Sequence, residues 1–139
     1  MELLIQYTLL YASVLILVAL GGCFSEHSGV INLGLEGIMV IGALGGALTM
    51  SVFQKSFPDA SAFSIIISVV LVAVIFGIIY SLLLAVACVN FNADQTIIGT
   101  ALNILGVALA TVIVKAINTA ADPNNVSSVI EYVNAKKAF

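Results

Sequence analysis

The chain of 139 residues has no arginine and no tryptophan, and only 8% of it is charged. So little polarity excludes a soluble helical bundle, in which each outward helix face needs a polar stripe. Between Ala62 and Val89 only Ser64, Ser68, Tyr80, Ser81 and Cys88 would be available for such a stripe. No basic cluster offsets the formal charge of −3, so nothing points to nucleic acid or to anionic lipid headgroups as a partner. No G-x-x-x-x-G-K-[ST] loop is present, which leaves the chain without a nucleotide site of the common kind and implies no cofactor of its own. Neither a paired Cys or His set for a metal nor a Ser, His and Asp arrangement for hydrolysis can be assembled, so an enzyme is not expected. Cys23 and Cys88 lie at the ends of the first and third apolar runs and read as small packing residues.

What the chain has instead is apolar length. Hydrophobic residues make up 62% of it, with a mean hydropathy of +1.23. Predominantly apolar runs extend from Leu3 to Phe24, Val30 to Phe53, Ala62 to Val89 and Thr96 to Ile117. Each exceeds the ~20 residues that carry a helix across a ~30 Å hydrocarbon core. The runs do not alternate as barrel strands would. The expected fold is therefore an all-α membrane protein of four transmembrane helices, occupying residues 1–117. The motif Leu20-Gly21-Gly22-Cys23 faintly resembles a lipoprotein cleavage site, but the acidic start Met1-Glu2 and three further spans argue against it.

Short connections over Ser25–Gly29, Gln54–Ser61 and Asn90–Gln95 imply closely spaced antiparallel neighbours, with Pro58 and Asp59 marking the middle turn. Residues 118–139 form an extramembrane tail in this reading. There Asp122-Pro123-Asn124-Asn125 makes a turn, and Val126, Val129, Ile130 and Val133 recur at the spacing of a short interfacial helix. Ser128 and Glu131 suit a capping box for it. Rows of small residues mark where helices approach closely: Gly42 and Gly46; Ala73, Gly77, Ser81 and Ala85; Gly99, Asn103, Gly106 and Ala110.

Against this background the polar residues of the second run stand out. An ionisable group at bilayer depth costs roughly 2.5 kcal/mol or more and normally faces a protein interior or a water-filled path. Asn32 and Glu36 are four residues apart, so in a regular helix they share a face and present polar atoms to one cavity. An acid buried there is expected to be tolerated by hydrogen bonding or by carrying a proton. Gly29, Gly34 and Gly37 weaken the helix around them, and a discontinuous helix can offer free backbone groups to a solute. Asn103 is a second intramembrane amide, while Asp94, followed by Gln95, suits the N-cap of the fourth helix. Asn32, Glu36 and Asn103 are the candidates for lining a solute path. The competing reading makes Glu36 an interhelical hydrogen-bond anchor, and His27 reads as a solvated loop residue.

Two blocks carry a family resemblance. The run Gly21-Gly22-Cys23-Phe24-Ser25-Glu26-His27-Ser28-Gly29-Val30-Ile31-Asn32-Leu33-Gly34-Leu35-Glu36-Gly37-Ile38-Met39 resembles the G-G-x-F-S-E-R-S-G-V-x-N-I-G-L-E-G-x-M signature of bacterial ABC importer permeases for nucleosides and simple sugars. Phe91-Asn92-Ala93-Asp94-Gln95-Thr96-Ile97-Ile98-Gly99-Thr100-Ala101-Leu102-Asn103 is similar to that family's R-A-D-Q-x-x-x-G-x-A-L-N pattern. His27 and Asn92 stand where the patterns carry arginine. The resemblance implies a multi-pass subunit of the bacterial plasma membrane, part of a larger polytopic permease. It also implies a second permease subunit, a cytosolic ABC ATPase that binds the ATP, and a solute-binding lipoprotein as partners. It places the His27 and Asn92 loops in the cytosol, whereas Lys55, Lys115, Lys136 and Lys137 all fall on the other side, against the positive-inside rule. Matching only the amino-terminal part of such a permease, the chain reads as truncated and is expected not to transport alone. An ion- or proton-coupled secondary transporter and a non-transporting scaffold subunit are the alternatives.

Overall fold

The computed structural model describes residues 2–29, 31–56 and 61–130. They form four helices: α1 (Glu2–His27), α2 (Leu35–Ser56), α3 (Ala62–Asn90) and α4 (Gln95–Ala121). At 22 to 29 residues, each is long and apolar enough to cross a membrane, and no strand occurs among the described residues. The four expected spans are all present, with shifted ends. The second begins at Leu35 rather than Val30, and α4 continues one turn past Ile117.

α2 is the hub, packing most extensively on α3 and next on α4. Glycine backbone makes both approaches possible. A Cβ built on Gly45 would stand 2.6 Å from the Phe76 ring, and one on Gly42 would stand 3.2 Å from Ala73 O. On the other side, a Cβ on Gly37 would meet Leu102 O at 2.7 Å, and one on Gly106 would meet Gly37 Cα at 2.9 Å. Close backbone approach of this kind is how helices associate where lipid removes the hydrophobic drive. The small-residue row on α3 packs at Ala73 and Gly77 but not at Ala85, which is exposed. Tyr80 and Leu84 take over there, forming a core with Ile41 and Leu102 against which Cys88 packs. Tyr80 is only 5% exposed, and its hydroxyl donates to Leu102 O at 2.7 Å, tying α3 to α4. None of the residues of α1 is buried, and its main contact is with α2, where Gly22 meets the Leu35 side chain.

The segment after α4 differs from the expected interfacial helix. Residues 122–130 are irregular, and the rest of that expected helix, with Glu131 and Val133, lies outside the described residues. Asn118 supplies the reason. It is 1% exposed, and its Nδ2 donates to Ser127 O at 2.9 Å and Val129 O at 2.7 Å. Two tail carbonyls held by one buried side-chain amide strap the tail onto the end of α4.

Glycine positions give opposite expectations for one methyl group. Gly106→Ala destabilises the chain by about 1–3 kcal/mol through overpacking against Gly37. Gly21→Ala, with nothing within 4 Å of the added Cβ, stays within about 0.5 kcal/mol of the parent. Unfolding midpoints of the two variants in detergent micelles check this.

Candidate functional site

The glycine-bearing segment between α1 and α2 is a break in helical structure, not the first turns of a helix. Ser28 Oγ donates to Ser25 O at 2.6 Å and Gly29 N to Glu26 O at 3.0 Å, closing the end of α1. Gly29 then takes a φ of +85°, a left-handed conformation that residues with a side chain rarely adopt. Asn32 Oδ1 accepts from Gly34 N at 3.0 Å, a local turn in which the side chain stands in for a backbone carbonyl. Gly34 O accepts the first helical bond of α2, from Ile38 N. Asn32 therefore precedes α2, and the expectation that it shares a helix face with Glu36 is corrected. The local asparagine turn competes with the helix and wins.

α4 holds this break at three heights. Gln95 Oε1 accepts from Ile31 N at 2.7 Å. One turn on, Gly99 lies against Leu33 and Gly34 so closely that a Cβ there would stand 2.9 Å from Leu33 Cβ. A further turn on, Asn103 donates from Nδ2 to Leu33 O at 2.8 Å and accepts through Oδ1 from Gly37 N at 2.7 Å. Gly37 N–H is among the first donors of α2, which have no carbonyl of their own helix to reach. Asn103 thus caps α2 from another helix. Sequence spacing singled out Asn103 and Gln95 but contained no signal for these partners.

The start of α4 is fixed in turn by Asp94, whose Oδ1 accepts from Thr96 N at 2.8 Å and Ile97 N at 3.2 Å. Asn92 has a φ of +49°, in the left-handed region that asparagine tolerates better than most residues. His27 is the exposed last residue of α1.

Glu36 is exposed, contrary to the expected burial within the chain. As the second residue of α2 it projects beside a groove of about 440 Å³ whose other walls are Asn103, Ile104, Val107 and Ala108. Asn32 does not line that groove. The arrangement is one exposed carboxylate beside an apolar helix face, with the Asn103 amide already held by backbone partners, and it suits hydrogen bonding to a small solute more than covalent chemistry. Among the described residues no three His, Cys, Asp or Glu side chains stand together as a metal site would require.

Four spanning helices with a capped, polar-bearing break place the chain among polytopic membrane proteins. Residues 4–138 match the family described as branched-chain amino acid transport system, permease component, and the chain belongs to that family. It is similar to the guanosine ABC transporter permease protein NupQ of Bacillus subtilis, 41% identical over 84% of this chain and 35% of that protein. It is also similar to the nucleoside ABC transporter permease protein NupC of Lactococcus lactis, 34% identical over 83% of this chain and 35% of that protein. A putative glucose ABC transporter permease protein of Haloferax volcanii is 33% identical over 78% of this chain and 30% of that protein. The chain thus spans about a third of the length of these curated relatives. No solved structure matches it.

The Asp94 cap sets a stability expectation. Asp94→Ala costs about 1 kcal/mol by freeing the N–H groups of Thr96 and Ile97, whereas Asp94→Asn retains most of the parent stability. Thermal unfolding in micelles distinguishes the two.

Proposed function

We propose that the chain forms part of the solute pathway of an ATP-driven importer for nucleosides or related sugars in the bacterial plasma membrane. The observation that carries this reading is the placement of Glu36 beside an apolar groove at the α2–α4 contact, in a family of transport permeases. An acid set on a spanning helix calls for a polar path beside it. Two of the relatives are named for guanosine and nucleoside transport, which supports the solute class. In this reading a second permease subunit completes the path, a cytosolic ABC ATPase binds the ATP and a lipoprotein delivers the solute. This chain binds no cofactor and catalyses no reaction. The loops at His27 and Asn92 face the cytosol. Alternating access rearranges the helices about the path as ATP binds to the partner.

Glu36 and Asn103 line the path, and Asn32 shapes the turn that leads to it, with Gly29, Gly34 and Gly37 allowing the break. Uptake of labelled guanosine by cells carrying the native assembly tests the proposal. Uptake falls with ATP depletion and survives collapse of the proton gradient; the reverse pattern indicates a proton-coupled carrier, and no uptake at all indicates a scaffold. Glu36→Ala lowers the uptake rate by about tenfold or more, the loss expected when one hydrogen bond to a charged group is removed. Unchanged uptake would remove Glu36 from the path.

A further inference from the structure

We infer that Gln95 and Asn103 are positioning residues: they set where the first turn of α2 lies on α4, and through it where Glu36 stands. The inference rests on the reading of Glu36 as a group of the solute path. Its basis is the pairing of backbone groups across the break. Backbone N–H and C=O groups at a buried junction are costly to leave unpaired, and Gly34 and Gly37 are both buried. Gly34 occupies the cap position of α2 and has no side chain with which to pair them. The carboxamide of Asn103 straddles the junction instead, taking the last loop carbonyl, Leu33 O, with its donor and the helical Gly37 N–H with its acceptor. With each end matched to one partner, the amide plane is fixed and the first turn of α2 is fixed with it.

Gln95 supplies the second anchor, on Ile31 N. Eight residues of helix separate the two anchors along α4, about 12 Å. Two points that far apart fix the direction of the break as well as its position, and the close contact of Gly99 with Leu33 and Gly34 lies between them. Glu36 is bracketed by this clamp, one residue before Gly37 and beside Asn103 at the groove. Asn103 contributes a wall to the groove, but both ends of its carboxamide already have backbone partners, and its effect on solute acts through the placement of Glu36.

Hydrogen exchange and transport together test this, with the full chain in its native assembly in lipid nanodiscs and guanosine as the probe. Gln95→Leu and Asn103→Leu are each expected to speed exchange in peptides covering residues 28–38. Each also raises the KM for guanosine by about tenfold while Vmax changes by no more than about twofold, the scale of one lost hydrogen bond. Gln95→Glu keeps an acceptor for Ile31 N–H and is expected to restore both exchange and KM. Unchanged exchange in both leucine variants overturns the inference, as does faster exchange with an unchanged KM. It is also overturned if Gln95→Glu is as defective as Gln95→Leu, because the amide nitrogen would then matter and a solute contact would explain it. Should Asn103→Leu fail to insert, the Gln95 pair decides alone. A wild-type assembly that takes up no guanosine removes the transport reading, while the exchange comparison still decides whether the clamp exists.

Discussion

The bond from Gly37 N to Asn103 Oδ1 is the constraint on which the rest of the arrangement depends. The first turn of a helix begins with donors that no carbonyl of its own helix can reach, and α2 starts after a buried glycine that offers no side-chain cap. The missing acceptor comes from a residue 66 positions later in the chain. α2 can therefore begin where it does only when α4 lies beside it. The two blocks that carry the family resemblance form one structural unit for this reason. The first contains a break with unpaired backbone, and the second contains Gln95 and Asn103, which pair with it.

Packing reinforces the same geometry. Asn103 reaches across only if the backbones of α2 and α4 nearly touch, and Gly37 and Gly106 permit this because neither carries a Cβ. Tyr80 then closes the third side by donating to Leu102 O, a carbonyl adjacent to Asn103 and already crowded by Gly37. α2, α3 and α4 thus meet at one level, where hydrogen bonds and small residues coincide. α1 does not take part: none of its residues is buried, and most of its large apolar side chains are exposed.

Much of this fold was legible in the sequence, because span number follows from the length of apolar runs and bilayer thickness sets that length. Helix ends were less legible for a specific reason. Hydropathy counts Val30, Ile31 and Leu33 as continuous with α2, but Asn32 turns the chain locally and Gln95 holds Ile31, neither of which changes apolar content. The same limit applies to the tail. Val126, Val129 and Ile130 have helical spacing, yet the buried amide of Asn118 binds two alternate carbonyls that a helix would keep for itself. Gly45 was not distinguished from its neighbours either, since its partner is the large ring of Phe76 and not another small residue.

The polar residues first grouped as one candidate set divide by their chemistry. A carboxamide has a donor and an acceptor on one rigid plane, so Asn103 can take a carbonyl and an N–H at once. Asn32 uses its oxygen on the N–H of Gly34. An ionised carboxylate can only accept. Glu36 in place of Asn103 would leave Leu33 O without a donor and bring a second negative oxygen toward it. In a site that must tie loop carbonyl and helix N–H together, amides suit the joint and the acid does not. The acid stands free of the joint on the first turn of α2, where the helix dipole favours negative charge and the groove beside it is open. The division follows from hydrogen-bond inventory and helix polarity, and it explains why polar residues so close in sequence serve different parts of the site.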